Sequence, residues 1–382
     1  IQYIADEQGN SIPDFSRVGY HQGNKDIPDV SIRTTIRPAK SGSSQAIIQQ
    51  AIDELANRKP DKDGFRGALL LKKGTYYVPG TLRINAGGIV LRGEGDGENG
   101  TRLVASGTGK RTLLTISGEG KVEEIPGTRR KITEEYVPAG ATSFAIESTE
   151  GLNPGDRIIV FRPGTDNWIA DLKMDRIVER EGTKQWVGKN YNLEFERNIT
   201  KIEGNKIFID NPIVMPMETR YGGGEIYKYS FDGRISEVGI ENILFESEYE
   251  NDTDEDHGWI AIGIDKAEDS WVRNVTARHF GYACVSVEEN AKQITVTDSR
   301  SLDPKSIITG GRRYSFNNNG QLNLFMNLHA TEGRHDYVTG AKVSGPNVFY
   351  NCTAKNTHGD IGPHHRWASG TLYDNIKTDG EI

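Results

Sequence analysis

The sequence contains only two cysteines, Cys284 and Cys352, among its 382 residues. Two thiols cannot build a disulfide framework and show no zinc-type spacing, so both are expected as small buried side chains. No apolar run reaches the roughly 18 residues that a membrane span needs, and residues 1–30 lack a charged head followed by an apolar stretch. Neither a transmembrane segment nor a signal peptide is therefore read in this numbering, although an exported protein with a trimmed signal would look the same. Positive charge is short as well, 46 Lys and Arg against 54 Asp and Glu, for a net charge of −8. That balance excludes a general nucleic-acid binder, while local Arg clusters still allow an anionic substrate.

What is abundant is glycine, 44 of 382 residues, where a usual share is about 7%. With 35% hydrophobic and 26% charged residues the chain can bury a sizeable core, and its glycines favour many short strands over long helices. One helical pattern stands out, SSQAIIQQAIDELANRKP at residues 43–60, with Ile47, Ile48, Ala51, Ile52 and Leu55 on one face. Ser43 or Ser44 is placed to cap its start and Pro60 to stop it. After it, GALLLKKGTYYV, TLRINAGGIVLRGEG and TRLVASG follow in strand rhythm.

Residues 121–230 break that rhythm. EEYVPAGATSFAIESTEGLNPGDRIIVFRP and ITKIEGNKIFIDNPI suggest hairpins, with Pro154-Gly155-Asp156 as a turn before the apolar run Ile158 to Phe161. From about residue 231 a weak repeat follows. Asn242, Asn274, Asp298, Asn327 and Asn351 align at steps of roughly 24–32 residues, a period that indicates stacked units whose apolar faces are buried only by their neighbours. The segments are β-branched, without a leucine signature or a helical period, so a parallel β-solenoid fits best. Its rungs would stack about 4.8 Å apart, with an inward-facing Asn in register with the Asn of the next turn.

DFSRVGYHQGNKDIPDV, AIIQQAIDEL, GTYYVPGTLRI and GIVLRGEGDGENGTRL, together with this repeat, resemble the pectate-lyase-like superfamily. The resemblance covers about residues 12–116 and 231–382. It implies an all-β, right-handed parallel β-helix with an N-terminal capping helix and an inserted antiparallel β subdomain. The expected division is residues 1–120 for the entry segment, cap and first coils, 121–230 for the insertion, and 231–382 for the coils with the active groove. That superfamily holds polysaccharide lyases, glycoside hydrolases, esterases and phage depolymerases, so the fold does not choose the activity. The insertion and HGDIGPHHRWASGTLYDNI are similar to exported proteins of polysaccharide-degrading bacteria, which implies a secreted, periplasmic or cell-surface location. The calcium-dependent pectate lyases match less well, because no acidic cluster can be placed as their metal site. No cofactor is expected, with calcium the one metal left open.

Seven of the eight histidines lie between residues 257 and 365: His257, His279, His329, His335, His358, His364 and His365. Arg312, Arg313, Arg334, Arg366, Tyr314 and Tyr337 share the region. Arg312 to Arg334, Tyr314 to Tyr337, and His335 to His358 or His364 are separations of roughly 22–29 residues, one coil of such a repeat. These side chains are therefore expected to stack into a basic, aromatic groove. Eliminative cleavage of a uronic-acid polysaccharide needs a cation on the carboxylate, a base for the proton beside it and an acid for the leaving oxygen. Arg, His and Tyr supply these. In GRHDY the expected base is His335 and the acid Tyr337, with Arg334 or Arg313 as the neutraliser. His364, His365 and Arg366 form a second cluster in GPHHRW, and Trp367 offers a sugar-stacking face. Arg312, Arg313, Arg366, Trp367 and His358 are the expected substrate-binding residues.

Several features have plainer readings. His257 and His279 are expected as structural histidines. NDTDEDH, residues 251–257, lacks the glycine and distal glutamate of an EF-hand and reads as a solvated acidic loop. GEGDGENG, residues 93–100, reads as a turn between coils, and Trp168, Trp186 and Tyr191 as the core of the insertion. The favoured function is a polysaccharide lyase on an anionic glycan. A glycoside hydrolase would need paired carboxylates, for which Asp303, Asp336 and Asp360 recur at coil-like intervals. A non-catalytic glycan-binding or adhesive solenoid is the third reading. Because ASGTLYDNIKTDGEI stops just after a strand, further coils or a partner are expected to cover that end.

Overall fold

The computed structural model describes residues 4–382. The chain forms a right-handed parallel β-helix with three faces. The first face stacks Ile32–Ile36, Gly67–Leu71, Ile89–Gly95, Gly239–Ser247, Ala267–Arg278, Lys292–Thr297, Leu324–Met326, Ser344–Tyr350 and Ser369–Asp374. Gly239–Ser247 and Ala267–Arg278 are long enough to bend onto the second face. There they pair with Thr101–Ala105 and Arg300–Leu302 respectively. The third face is a six-stranded sheet running from Leu82–Ile84 to Tyr337–Thr339.

One sharp corner recurs in successive coils. Asn242, Asn274, Asp298, Asn327, Asn351 and Asn375 all have φ between 50° and 58°. Asn and Asp tolerate this left-handed backbone better than other side chains with a Cβ, which explains the repeat seen in the sequence. The ladder itself lies on the outside, a correction to the inward-facing expectation. Asn375 Nδ2 donates to Asn351 Oδ1 at 2.8 Å, and Asn351 Nδ2 to Asn327 Oδ1 at 2.7 Å, both exposed. A buried ladder exists elsewhere: Asn323 Oδ1 accepts from the Ile294 N–H, and Asn347 Oδ1 from the Asn323 N–H. Inside the coils the core is aliphatic at the N-terminal end and becomes aromatic toward the other, where Phe325, Phe349 and Tyr373 stack at 4.7 and 5.1 Å.

The capping helix spans Gln45–Ala56 and buries Ile48, Ala51, Ile52 and Leu55 against the first coils. Ile47 is 42% exposed and leaves the predicted apolar face. Ser43 Oγ accepts the Gln45 N–H, and the helix ends at Ala56, short of Pro60. The entry segment lies along the first face. Gly19 has φ +76°, and a Cβ there would sit 2.4 Å from Thr295 Oγ1, so only glycine lets the chain approach so closely. Cys284 and Cys352 are buried and free, and burial pushes the Cys352 thiol up to about 12.

Between the third-face strand Arg111–Ser117 and the coil beginning at Ile235, the chain leaves the solenoid and folds as antiparallel strands. Their order is Ser143–Ala145, Lys206–Ile209, Leu193–Glu203, Arg157–Arg162 and Glu225–Ser230. Phe144, Ile158, Val160, Phe195 and Ile207 fill a separate core. This unit and the entry segment together cover part of the first face, where every residue of Lys292–Thr297 is buried. The join is ionic. Glu196 accepts from Arg234 at 2.6 and 2.7 Å, from Tyr229 Oη at 2.5 Å, and lies 2.8 Å from Lys292 Nζ. Burial alone would raise the Glu196 carboxyl, but Lys292 and Arg234 outweigh it and hold the group well below the usual range. Among the described residues no helix is long and apolar enough to cross a membrane.

Candidate functional site

The true coil step on the third face decides where the candidate residues point. Phe316 pairs directly with Tyr337, so Tyr314 lies beside His335 and not beside Tyr337. A shift of this kind changes which side chains share a face. Tyr337 points inward: it has no exposed surface, stacks on Phe316 at 5.8 Å and donates to the Thr353 carbonyl at 2.6 Å. Burial pushes its phenol far up. The expectation that Tyr337 is the acid is therefore overturned.

At the corner entering the third face, aromatic rings climb the solenoid. Trp259 and Tyr282 are 6.5 Å apart, Tyr282 and Tyr314 5.1 Å, Tyr314 and His335 5.1 Å, and His335 and His364 3.8 Å. Lys110 Nζ sits 4.1 Å over the Trp259 ring. These rings come from successive coils, so the ladder follows from parallel stacking of about 4.8 Å per rung with some lateral offset. Trp259 and Tyr282 are missed by spacing in the sequence, where irregular coil lengths hide the alignment.

The ladder ends in a compact cluster. His335 Nδ1 lies 2.8 Å from the Asp360 carbonyl and 3.3 Å from Asp360 Oδ1, and His364 Nδ1 lies 3.7 Å from the same oxygen. His335 is 1% exposed and its Nε2 has no partner, while His364 and Asp360 are more open, at 28% and 45% of their side chains. Burial lowers the His335 pKa, and burial with the neighbouring His364 and Arg366 lowers that of His365. Both imidazoles are therefore neutral at pH 7 and able to accept a proton. Burial raises the Tyr314 phenol, with Arg334 opposing, so Tyr314 stays protonated. Arg334 donates to the Gly310 carbonyl at 2.7 Å and enters no ion pair among the described residues. His335, Asp360 and His364 are also the one group of described residues with metal-ligand chemistry close together, their ligand atoms within 4.8 Å of one another. His335 Nδ1 is already engaged by the Asp360 carbonyl.

The other expected residues are placed differently. Arg312 is tied to Glu255, whose carboxyl the guanidinium and Lys110 pull down to about 2. Arg313 is 6% exposed and donates to the Ser306 carbonyl at 2.6 Å, a loop-bracing role that removes it as a neutraliser. His358 pairs with Glu332 at 2.9 Å. Trp367 meets Trp168 edge-on at 4.4 Å and packs into the aromatic cluster of the insertion, which removes it as an open stacking face. Arg366 is exposed and adjoins Tyr191. The three carboxylates of the hydrolase reading are not gathered. Asp303 pairs with Lys305, Asp336 accepts from Ser315 inside the coil with its carboxyl raised to about 6 by burial, and Asp360 serves the two histidines. His257 is buried between Ser247 Oγ and the Lys305 carbonyl, each at 2.9 Å.

No family profile matches the sequence, and no curated protein does. Solved structures share its architecture. The chain is similar to the Gp54 tailspike of Acinetobacter baumannii bacteriophage AP22 in complex with A. baumannii capsular saccharide, at 10% identity and a TM-score of 0.34 over 89% of this chain and 56% of that one. For the tailspike gp61 of Pseudomonas phage phi297 the values are 13%, 0.37, 88% and 57%. ORF18 of Geobacillus virus E2 gives 11%, 0.45, 91% and 49%. The chain thus spans about half the length of these structures, and at such identities the likeness concerns the fold alone.

Proposed function

We propose that this protein cleaves an anionic polysaccharide by β-elimination at the cluster of Tyr314, Arg334, His335, Asp360, His364 and His365, acting outside the cell or at its surface. One observation carries the reading: an imidazole pair around a carboxylate, a protonated phenol and an unpaired guanidinium converge at the end of an aromatic ladder. Sugar rings stack on aromatic faces, and Arg binds a carboxylate through two parallel hydrogen bonds. In this scheme Arg334 neutralises the uronate carboxylate, which acidifies the proton on the adjacent carbon. His364, flanked by Asp360, removes that proton. The electron pair forms the new carbon–carbon double bond as the glycosidic carbon–oxygen bond breaks, and the His364 imidazolium passes its proton to the departing oxygen, while Tyr314, 4% exposed, forms the wall beneath. His335, too buried to meet substrate, is a positioning residue that fixes Asp360 and supports the His364 ring. The resemblance to the pectate-lyase-like superfamily agrees with this chemistry, and the scattered Asp303, Asp336 and Asp360 favour it over hydrolysis.

The test is a panel of uronic-acid and neutral polysaccharides, followed by the ultraviolet absorbance of unsaturated products and by reducing ends. Wild-type protein is expected to raise both together. His364→Ala, at a half-open position, is expected to lose about 10²-fold or more of that rate while keeping its melting temperature, the usual scale for a general base. Reducing ends without absorbance would overturn the elimination.

A further inference from the structure

A second concave region lies on the other side of the third face, where the insertion leans over the solenoid. Two adjoining clefts, of about 480 and 440 Å³, share Asn190 and Lys342 in their walls. One wall comes from the insertion. The other comes from the turns that lead each coil back to the first face: Glu289 and Asn290, then Asn319 and Gln321, then Lys342 and Ser344, then Arg366. These are successive rungs, so the polar stripe runs about 14 Å along the solenoid.

The lining has a definite chemistry. Lys121, Lys184, Lys189, Lys342 and Arg366 face the clefts, and none enters an ion pair among the described residues. Of the carboxylates there, Glu196 is already neutralised by Arg234 and Lys292. Glu194 and Glu289 remain, and burial, with Tyr227 opposing, raises the Glu194 carboxyl toward its neutral form. The clefts are therefore net cationic in a protein whose overall charge is −8. Gln321 is held by the backbone of Glu194 and Glu196, but Asn190 and Asn290 make no side-chain hydrogen bond among the described residues and offer a donor and an acceptor each to sugar hydroxyls. At the far end Trp186 stacks on Tyr191 with centroids 4.2 Å apart and remains half-buried in the cleft wall, a flat apolar surface held rigid from behind. An aromatic platform, amides and unpaired cations in one elongated cleft are the elements that hold an acidic sugar chain.

We propose that this cleft is a second, non-catalytic binding site for an acidic oligosaccharide, carboxylated or sulfated, separate from the histidine cluster. The proposal takes its ligand class partly from the proposed function, but its site shares none of the cluster's residues. Lys189 and Lys342 hold the acidic groups, and Trp186 receives a sugar face. Multiple attachment along one chain would raise the effective concentration of substrate at the cluster.

The experiment is titration calorimetry of the full chain with oligogalacturonate and alginate oligomers as carboxylated probes, chondroitin sulfate oligomers as sulfated ones, and dextran oligomers as neutral controls. Binding is expected for an acidic probe, weakening as salt rises. The double variant Lys189→Glu/Lys342→Glu, at two exposed positions, is expected to weaken it at least tenfold with an unchanged melting temperature. Trp186→Ala is expected to weaken it independently of salt. His364→Ala is expected to bind as wild type does, which separates this site from the catalytic reading. Carboxylated against sulfated preference identifies the acidic group. No binding to any acidic probe, equal binding of dextran, or loss of binding in His364→Ala with none in the lysine variant would each overturn the proposal.

Discussion

The solenoid and the insertion solve the same problem, burying β-strand faces, by opposite means. In the solenoid each strand pairs in parallel with the strand one coil away, and its inward side chains meet the equivalent residues above and below. In the insertion strands pair with antiparallel neighbours, and a core of its own sits around Phe144 and Phe195. The consequence is functional. Parallel stacking carries a residue type up one corner, as the Trp259 to His364 ladder shows, whereas the antiparallel unit contributes a wall and a set of cations. The two meet through the buried ionic network around Glu196 and through Trp367, whose ring packs into the aromatic cluster of the insertion.

The sharpest way to separate the two units is to hollow each core in turn. Phe349→Ala removes a ring stacked between Phe325 and Tyr373 and is expected to cost about 3–5 kcal/mol in chemical denaturation. Phe144→Ala in the insertion is expected to cost a similar amount but to leave the solenoid's own transition in place. A single shared transition in both variants would break the comparison. Next in size is Glu196→Gln, which leaves Arg157, Arg234 and Lys292 to share the single carboxylate of Glu268. It is expected to cost about 3 kcal/mol or more and to move the transitions of the insertion and the solenoid further apart. If the network does not join the units, neither transition will shift.

The pH dependence of stability reports mainly on the solenoid. Burial lowers the pKa values of His279, His329, His335 and His365. The unfolded chain then takes up these protons before the native one, so stability is full above the unfolded value of about 6.5 and falls as pH drops below it. Asp336 acts with the opposite sign, since its carboxyl, raised to about 6, gains a proton in the native state first. Asp269 and Glu194, also raised by burial, act with Asp336, but the four imidazoles together with carboxylates that ion pairs hold low, Glu196 and Glu255 among them, outweigh these three. The melting temperature is expected to fall from pH 7 to pH 5, and a rise would contradict the burial of these histidines.

The smallest expected effect tests the corner. Asn351→Ala puts a less tolerant residue at φ 53° and removes two exposed side-chain hydrogen bonds, for a cost of about 1–2 kcal/mol. Asn351→Gly keeps the backbone freedom and is expected to cost less in the same denaturation series.

The architecture is legible in the chain alone, because the signals involved are local. A left-handed corner wants Asn or Asp, a cap wants an amphipathic helix, and a turn wants glycine, so the coils and the helix over Gln45–Ala56 can be read residue by residue. The histidine-rich region is legible too, down to His335 and His364. Which neighbours those residues have depends on the three-dimensional path. The spacings from Arg312 to Arg334 and from Tyr314 to Tyr337 suggest that Tyr337 faces the groove. The coil there is shorter than the interval from Tyr314 to Tyr337, which turns Tyr337 into the core and brings Tyr314 to His335. Loops of unequal length between rungs leave no periodic trace of this register, and the lateral packing of the insertion on the first face has no sequence period at all. A β-helix fixes its corners locally and its side-chain partners one coil away, and only the second depends on the full path of the chain.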